Sequence, residues 1–77
     1  MKVTILLFGS LTEIAGTSAL EINNVEDTEM LIQQLIRQYP LLQSSVYRIA
    51  VNQQIITGNK NLKEGDKVAL MPPFSGG

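Results

Sequence analysis

Leu31, Leu35 and Tyr39 recur at every fourth position, with Ile32 and Ile36 beside them. That spacing lays an apolar stripe along one face of a helix. Asp27 or Thr28 can cap it, accepting a hydrogen bond from the free N–H groups of its first turn. Pro40 ends it near Gln38, because the residue before a proline avoids helical backbone angles. The other apolar stretches are short and have strand character. A chain with one amphipathic helix and several strands must cover that stripe with one face of a sheet. This constraint leads to a two-layer α+β arrangement.

The first strand candidate is Val3-Thr4-Ile5-Leu6-Leu7-Phe8, rich in β-branched and aromatic residues and stopped by Gly9-Ser10. Residues 11–15 predict a helical turn closed by Gly16. Residues 18–23 read as a second strand, hairpin-paired with the first. Residues 47–52 and 54–57 follow as a third strand and a short fourth. Gly58-Asn59-Lys60-Asn61 and Lys63-Glu64-Gly65-Asp66 are turns. Residues 67–71 form the last strand, which Pro72-Pro73 terminate because proline cannot donate to a ladder. The order β-β-α-β-β-β best matches the β-grasp, or ubiquitin-like, roll. In that roll a mixed sheet packs on one main helix, and the first and last strands lie side by side in the middle. Residues 1–71 would be the domain and 72–77 an extended tail.

The 77 residues allow one domain. A domain of this size buries only about 60% of its unfolded surface. Apolar residues make up 44% of the chain, enough for a core and too many for disorder. Six basic residues face seven acidic ones, for a net charge of −1. No field of one sign points to nucleic acid or a membrane as the main partner. Cysteine and histidine are absent. The domain therefore stands on packing without disulfides, and it lacks a thiol nucleophile, an imidazole base and the ligands zinc prefers. The apolar run at the start is too short for a membrane span and has no signal-peptide cleavage site. The expected compartment is the cytoplasm.

A sheet covered on one face should be polar on the other. Lys2 and Thr4 share a face with Leu6 and Phe8, while Val3, Ile5 and Leu7 take the opposite one. In the last strand Lys67, Ala69 and Met71 share a parity. The lysines mark the solvent side, so Leu6, Phe8, Ala69 and Met71 should form an exposed apolar patch close to the tail. Such a patch suggests a protein partner. Lys60, Lys63 and Lys67 read as solvated turn and strand lysines.

The tail is Pro72-Pro73-Phe74-Ser75-Gly76-Gly77. Two prolines hold the chain stiff as it leaves the sheet. Six extended residues reach about 20 Å, at roughly 3.3–3.6 Å each. Phe74 is an apolar anchor, and two glycines without a Cβ make the end thin enough for a narrow channel. A carboxylate is unreactive until activated. As an acyl-adenylate it becomes an electrophile, and a terminal glycine leaves its acyl carbon unhindered.

At these residues the chain resembles the small, sulfur-carrying subunits of molybdopterin synthase, a ubiquitin-like family. The most specific part is residues 62–77, which look like the family's closing pattern: Leu-x-x-Gly-Asp-x-Val-Ala, two apolar residues, Pro-Pro, two variable residues and Gly-Gly. Ala50-Val51-Asn52-Gln53 is similar to its third-strand signature. Phe8-Gly9-Ser10-Leu11-Thr12-Glu13-Ile14-Ala15-Gly16 is similar to its first loop, with Thr12 where many members carry arginine. The resemblance implies that an activating enzyme of the ubiquitin-E1 type adenylates Gly77 with ATP. A sulfur donor protein then makes the thiocarboxylate. The tail delivers the sulfur to a pterin precursor in the large synthase subunit, in an assembly of two small and two large subunits. Gly77 would carry the sulfur and Gly76 allow entry. Pro72, Pro73, Phe74 and Ser75 would line the channel, and Phe8, Ile55 and Met71 would contact the partner. The chain would bind no cofactor or metal itself and would be a co-substrate, not an enzyme. Three other readings stand beside this one: sulfur carriage for another product such as the thiamin thiazole, a ubiquitin-like modifier joined to lysine, and an interaction module with an inert tail.

Overall fold

The computed structural model describes residues 2–73. Its sheet contains β1 (Lys2–Leu7), β2 (Ala19–Asn23), β3 (Arg48–Val51), β4 (Gln54–Ile56) and β5 (Lys67–Met71). The spatial order is β2-β1-β5-β3-β4. β1 and β5 run parallel at the centre, and the other neighbouring pairs are antiparallel. This is the β-grasp arrangement expected from the element order. A short helix α1 (Leu11–Ala15) follows β1, and the main helix α2 (Thr28–Gln38) follows β2. A 3-10 turn, Pro40–Ser44, was not foreseen. It carries Leu42 into the core, where only 2% of the residue stays exposed.

Alternation divides the sheet into two faces. Val3, Ile5 and Leu7 of β1 and Val68 and Leu70 of β5 are buried with Leu31 and Leu35 of α2. Each such side chain contributes about 1.5–3 kcal/mol when removed from water. Leu11, Val25 and Leu62 close the ends of this layer.

The first turn of α2 shows how a small domain satisfies its free N–H groups. Asp27 is the cap, and its carboxylate accepts from the Met30 N–H at 2.8 Å. Asn59 Oδ1 accepts from the Glu29 N–H at 2.8 Å, and the Thr28 N–H donates to the Lys60 carbonyl at 2.9 Å. Thr28 is buried rather than capping. Its hydroxyl donates to Asn59 and accepts from the Lys60 N–H. The turn at residues 58–61 is thereby tied to the helix start.

Relative to the sequence expectation β1 shifts by one residue, and β2, β3 and β4 each lose a residue at one or both ends. β1 starts at Lys2 and stops at Leu7, leaving Phe8 in the connection. Asn52 leaves the third strand to form, with Gln53, the two-residue turn between β3 and β4. Both take left-handed angles, φ 50° and 73°. That is the turn whose twist suits a hairpin, and it favours Asn-Gly. Asn52 fits the first position, but Gln53 holds a conformation that strains an L-residue by roughly 1–2 kcal/mol. Gln53→Gly is expected to raise the unfolding free energy by about 1 kcal/mol, read from urea denaturation at unchanged slope.

Candidate functional site: the outer sheet face and the tail exit

Strand register places one residue from every strand on a single line. Ala19 lies opposite Leu6, Leu6 opposite Ala69, Ala69 opposite Ala50 and Ala50 opposite Ile55. All five are apolar, and all point away from α2. The next line toward the strand starts is polar, with Thr4 between Glu21 and Lys67. On the other side Met71 lies opposite Arg48. The Phe8 N–H donates to the Leu70 carbonyl at 3.1 Å, which sets Phe8 beside the end of β5.

The sizes along this line make a trough. Ala50 and Ala69 form its floor, and Leu6, Phe8, Ile55 and Met71 rise around them. The concavity has a volume of about 770 Å³. Ala50 is only 4% exposed, while Phe8 is 47% and Ile55 57% exposed. Contiguous exposed apolar surface of this kind marks a place for another molecule.

The parity argument brought Leu6, Phe8, Ala69 and Met71 together, and the structure does the same. It corrects one detail. Leu6, Ala69 and Met71 are half-buried rather than exposed, because neighbours across the strands shield one another. Ile55, which rested on resemblance alone, joins them through its register with Ala50. Gln54 hides this in the sequence: as a polar residue it suggests an outward parity that Ile55 does not share, yet Gln54 lies opposite buried Val51 and stands exposed on an edge strand. Ala50 was missed as the floor. Its parity with Arg48 was the available signal. Pro72 and Pro73 are half-buried where the chain leaves β5. Phe74, Ser75, Gly76 and Gly77 lie outside the described residues.

The polar rim is held by a small network. Asn52 Nδ2 donates to Asp66 Oδ1 at 3.0 Å, and Asn52 Oδ1 accepts from the Lys67 N–H at 3.0 Å. Asp66 Oδ2 accepts from the Lys63 N–H at 2.8 Å. These hydrogen bonds to the ionised form, first from Asn52 and then from Lys63, hold the Asp66 carboxyl below its ordinary value. The network also gives a physical reason for Gly-Asp in the closing motif. Gly65 sits at φ 83° with its N–H on the Lys2 carbonyl, and Asp66 knits the turn.

A profile comparison matches residues 5–77 to the ThiS family. The chain belongs to that family. Among relatives, the molybdopterin synthase sulfur carrier subunit of Chlamydomonas reinhardtii is 35% identical over 83 residues, covering 100% of both chains. Among solved structures, the small archaeal modifier protein 1 of Methanosarcina acetivorans superposes with a TM-score of 0.86 at 26% identity, covering 99% of this chain and 96% of that one. The complex of subunits 1 and 2 of molybdopterin-converting factor from Helicobacter pylori contains a chain with a TM-score of 0.76 at 29% identity, covering 100% of both. Among the described residues of this ThiS-family chain, no helix is long and apolar enough to cross a membrane.

Asp66 makes the rim pH-sensitive. Its folded value lies below its unfolded one, so the native state binds fewer protons in the window between them. The stability it contributes is complete above about pH 4 and is lost as pH falls through the folded value. The difference in unfolding free energy between wild type and Asp66→Asn is expected to shrink as pH drops below about 4 in urea titrations.

Proposed function

We propose that this chain is the sulfur-carrier subunit of a molybdopterin synthase, with Gly77 as its reacting residue. The observation that carries the reading is continuity: the apolar trough ends at Met71, where the chain leaves the sheet toward Gly76-Gly77. A partner seated on the trough receives the tail beside it. The likeness to named sulfur carrier subunits supports the pathway, and the Helicobacter pylori complex supports a large-subunit partner.

The chemistry needs no side chain of this protein. The Gly77 carboxylate attacks the α-phosphorus of ATP on an E1-like adenylating enzyme, and pyrophosphate leaves. Hydrosulfide, or an equivalent from a sulfur donor protein, attacks the acyl carbon. The carbon–sulfur bond forms as the bond to the AMP oxygen breaks. The resulting thiocarboxylate enters the large subunit, with Pro72, Pro73, Phe74, Ser75 and Gly76 in its channel. Its sulfur bonds to a carbon of the pterin precursor as an oxygen leaving group departs, and water then cleaves the acyl–sulfur bond, leaving the sulfur on the pterin and Gly77 as a carboxylate. Phe8, Ile55 and Met71 form the partner contact. ATP belongs to the activating partner, and the chain acts in the cytoplasm as a co-substrate. The likeness to the small archaeal modifier protein favours one second reading, in which the same activated acyl group passes to a lysine amine.

Intact mass separates these outcomes. With ATP, an E1-like enzyme and sulfide, one oxygen is expected to be replaced by one sulfur, and deletion of Gly77 abolishes the change. An isopeptide adduct without a thiocarboxylate would establish the modifier reading instead. No mass change with a competent activating enzyme would defeat both. The interface is tested separately. Ile55→Asp places a charge in the contact and is expected to weaken binding to the large subunit by about 30-fold or more, the scale of a hot-spot loss near 2 kcal/mol. Calorimetric titration reads this, and unchanged affinity would remove Ile55 from the interface.

A further inference from the structure

Gly9 is the described glycine that meets both steric demands at once. It sits at φ 59°, where an L-residue is strained. A Cβ added there would lie 2.7 Å from Pro72 Cγ and 3.4 Å from Pro72 Cδ. Carbon atoms in ordinary contact stay about 3.5–4.0 Å apart. Gly16, Gly58 and Gly65 also have positive φ, yet nothing lies within 4 Å of a Cβ at any of them. The Gly9 backbone is thus the surface on which the Pro72 ring rests.

The loop beneath that ring is tied on both sides. The Gly9 carbonyl accepts from the Thr12 N–H at 3.1 Å and from Thr12 Oγ1 at 2.8 Å. The Phe8 carbonyl accepts from the Leu11 N–H at 3.2 Å, and the Phe8 N–H donates to the Leu70 carbonyl at 3.1 Å. The loop is therefore joined to α1 behind it and to β5 beside it. Proline adds stiffness on the other side of the contact, because its ring fixes φ. A ring resting on a tied loop is restricted in the direction it can take, and the second proline, Pro73, adds its own fixed φ to that restriction.

We propose that Gly9, held by Thr12, is a positioning residue that sets the direction in which the C-terminal tail leaves the sheet. The seat rests on geometry; its consequence for sulfur transfer rests on the carrier reading. A displaced tail would present Gly77 wrongly to the activating enzyme, and misplacement of about 1 Å can cost about 100-fold in rate.

The test uses the absence of cysteine in the chain. Spin labels on Ser75→Cys and Arg37→Cys report the tail-to-helix distance distribution in the full chain. Gly9→Ala is expected to shift or broaden it. Gly16→Ala, which bears similar backbone strain with no neighbour, leaves it unchanged. In a Pro72→Ala background, Gly9→Ala adds no further change. In parallel, kcat/KM for adenylation falls about tenfold in Gly9→Ala and stays near wild type in Gly16→Ala. The seat is overturned if Gly9→Ala and Gly16→Ala give the same distribution, or if the Gly9 effect survives without the Pro72 ring. The positioning role is overturned if the tail moves and adenylation of Gly9→Ala matches Gly16→Ala. Failure of the wild-type protein to be activated at all defeats the carrier reading, while the distance measurement still decides the seat.

Discussion

The parallel pairing of β1 with β5 determines more of this molecule than any other contact. It joins Thr4 to Lys67 and Leu7 to Leu70 across almost the whole chain. Its inward side chains, Ile5, Leu7, Val68 and Leu70, are at most 2% exposed and form the floor on which α2 packs. Because the strands run the same way, both end at the same edge of the sheet. The loop after β1 and the tail after β5 are therefore neighbours by topology. An antiparallel pair would have put Gly9 at the far edge from Pro72. The pairing is also non-local, so the entropy of closing the chain is spent before the contact is made. The ties between Thr28 or Glu29 at the start of α2 and Asn59 or Lys60 are themselves non-local, spanning 30–32 positions, and fasten the turn at residues 58–61 to the helix.

The outer face follows from the same pairing and has opposite requirements. The core face needs bulk, and β-branched and leucine side chains fill it. The outer face carries alanine at Ala50 and Ala69 on the neighbouring strands β3 and β5, so the surface dips there. A domain of this size that gained nothing from that face would be expected to place polar residues on it, as the line through Glu21, Thr4 and Lys67 does. The contrast between two adjacent lines of one sheet is what makes the apolar line the candidate site of this face.

Much of this was legible in the sequence, for identifiable reasons. The spacing of Leu31, Leu35 and Tyr39 revealed α2, the Asp27-Thr28 cap and Pro40 bounded it to within a residue, and Pro72-Pro73 bounded β5. These signals are local and strong. The parity of Lys2, Thr4 and Lys67 separated the two faces because each strand has a charged or hydroxyl marker. What stayed hidden depends on distant partners. Leu42 reaches the core through a 3-10 turn that has no periodicity of its own. Asn52 looks like strand until the β3–β4 register makes it a turn. Ile55 faces outward only because Ala50 lies opposite. Gly9 reads as an ordinary loop glycine until Pro72, 63 positions later, is found against it.

The division of labour in the proposed function follows from what the chain lacks. With neither cysteine nor histidine, it has little means of selecting a nucleophile for its own acyl group. In the proposed chemistry sulfide and a lysine amine would attack the same activated carbon, and no cysteine or histidine of this chain could choose between them. The choice between them falls to whichever partner covers the trough and supplies the nucleophile beside the tail exit. The protein's own contribution is then geometric. It must deliver an unhindered glycine at a fixed place relative to the docked face. Two features bear on that relation: the register that sets Ile55, Ala50 and Ala69 in line, and the proposed Gly9 seat for Pro72. Thr12 belongs to the second. Its hydroxyl is bonded to the Gly9 carbonyl at 2.8 Å, so the side chain is committed to the loop against which Pro72 packs.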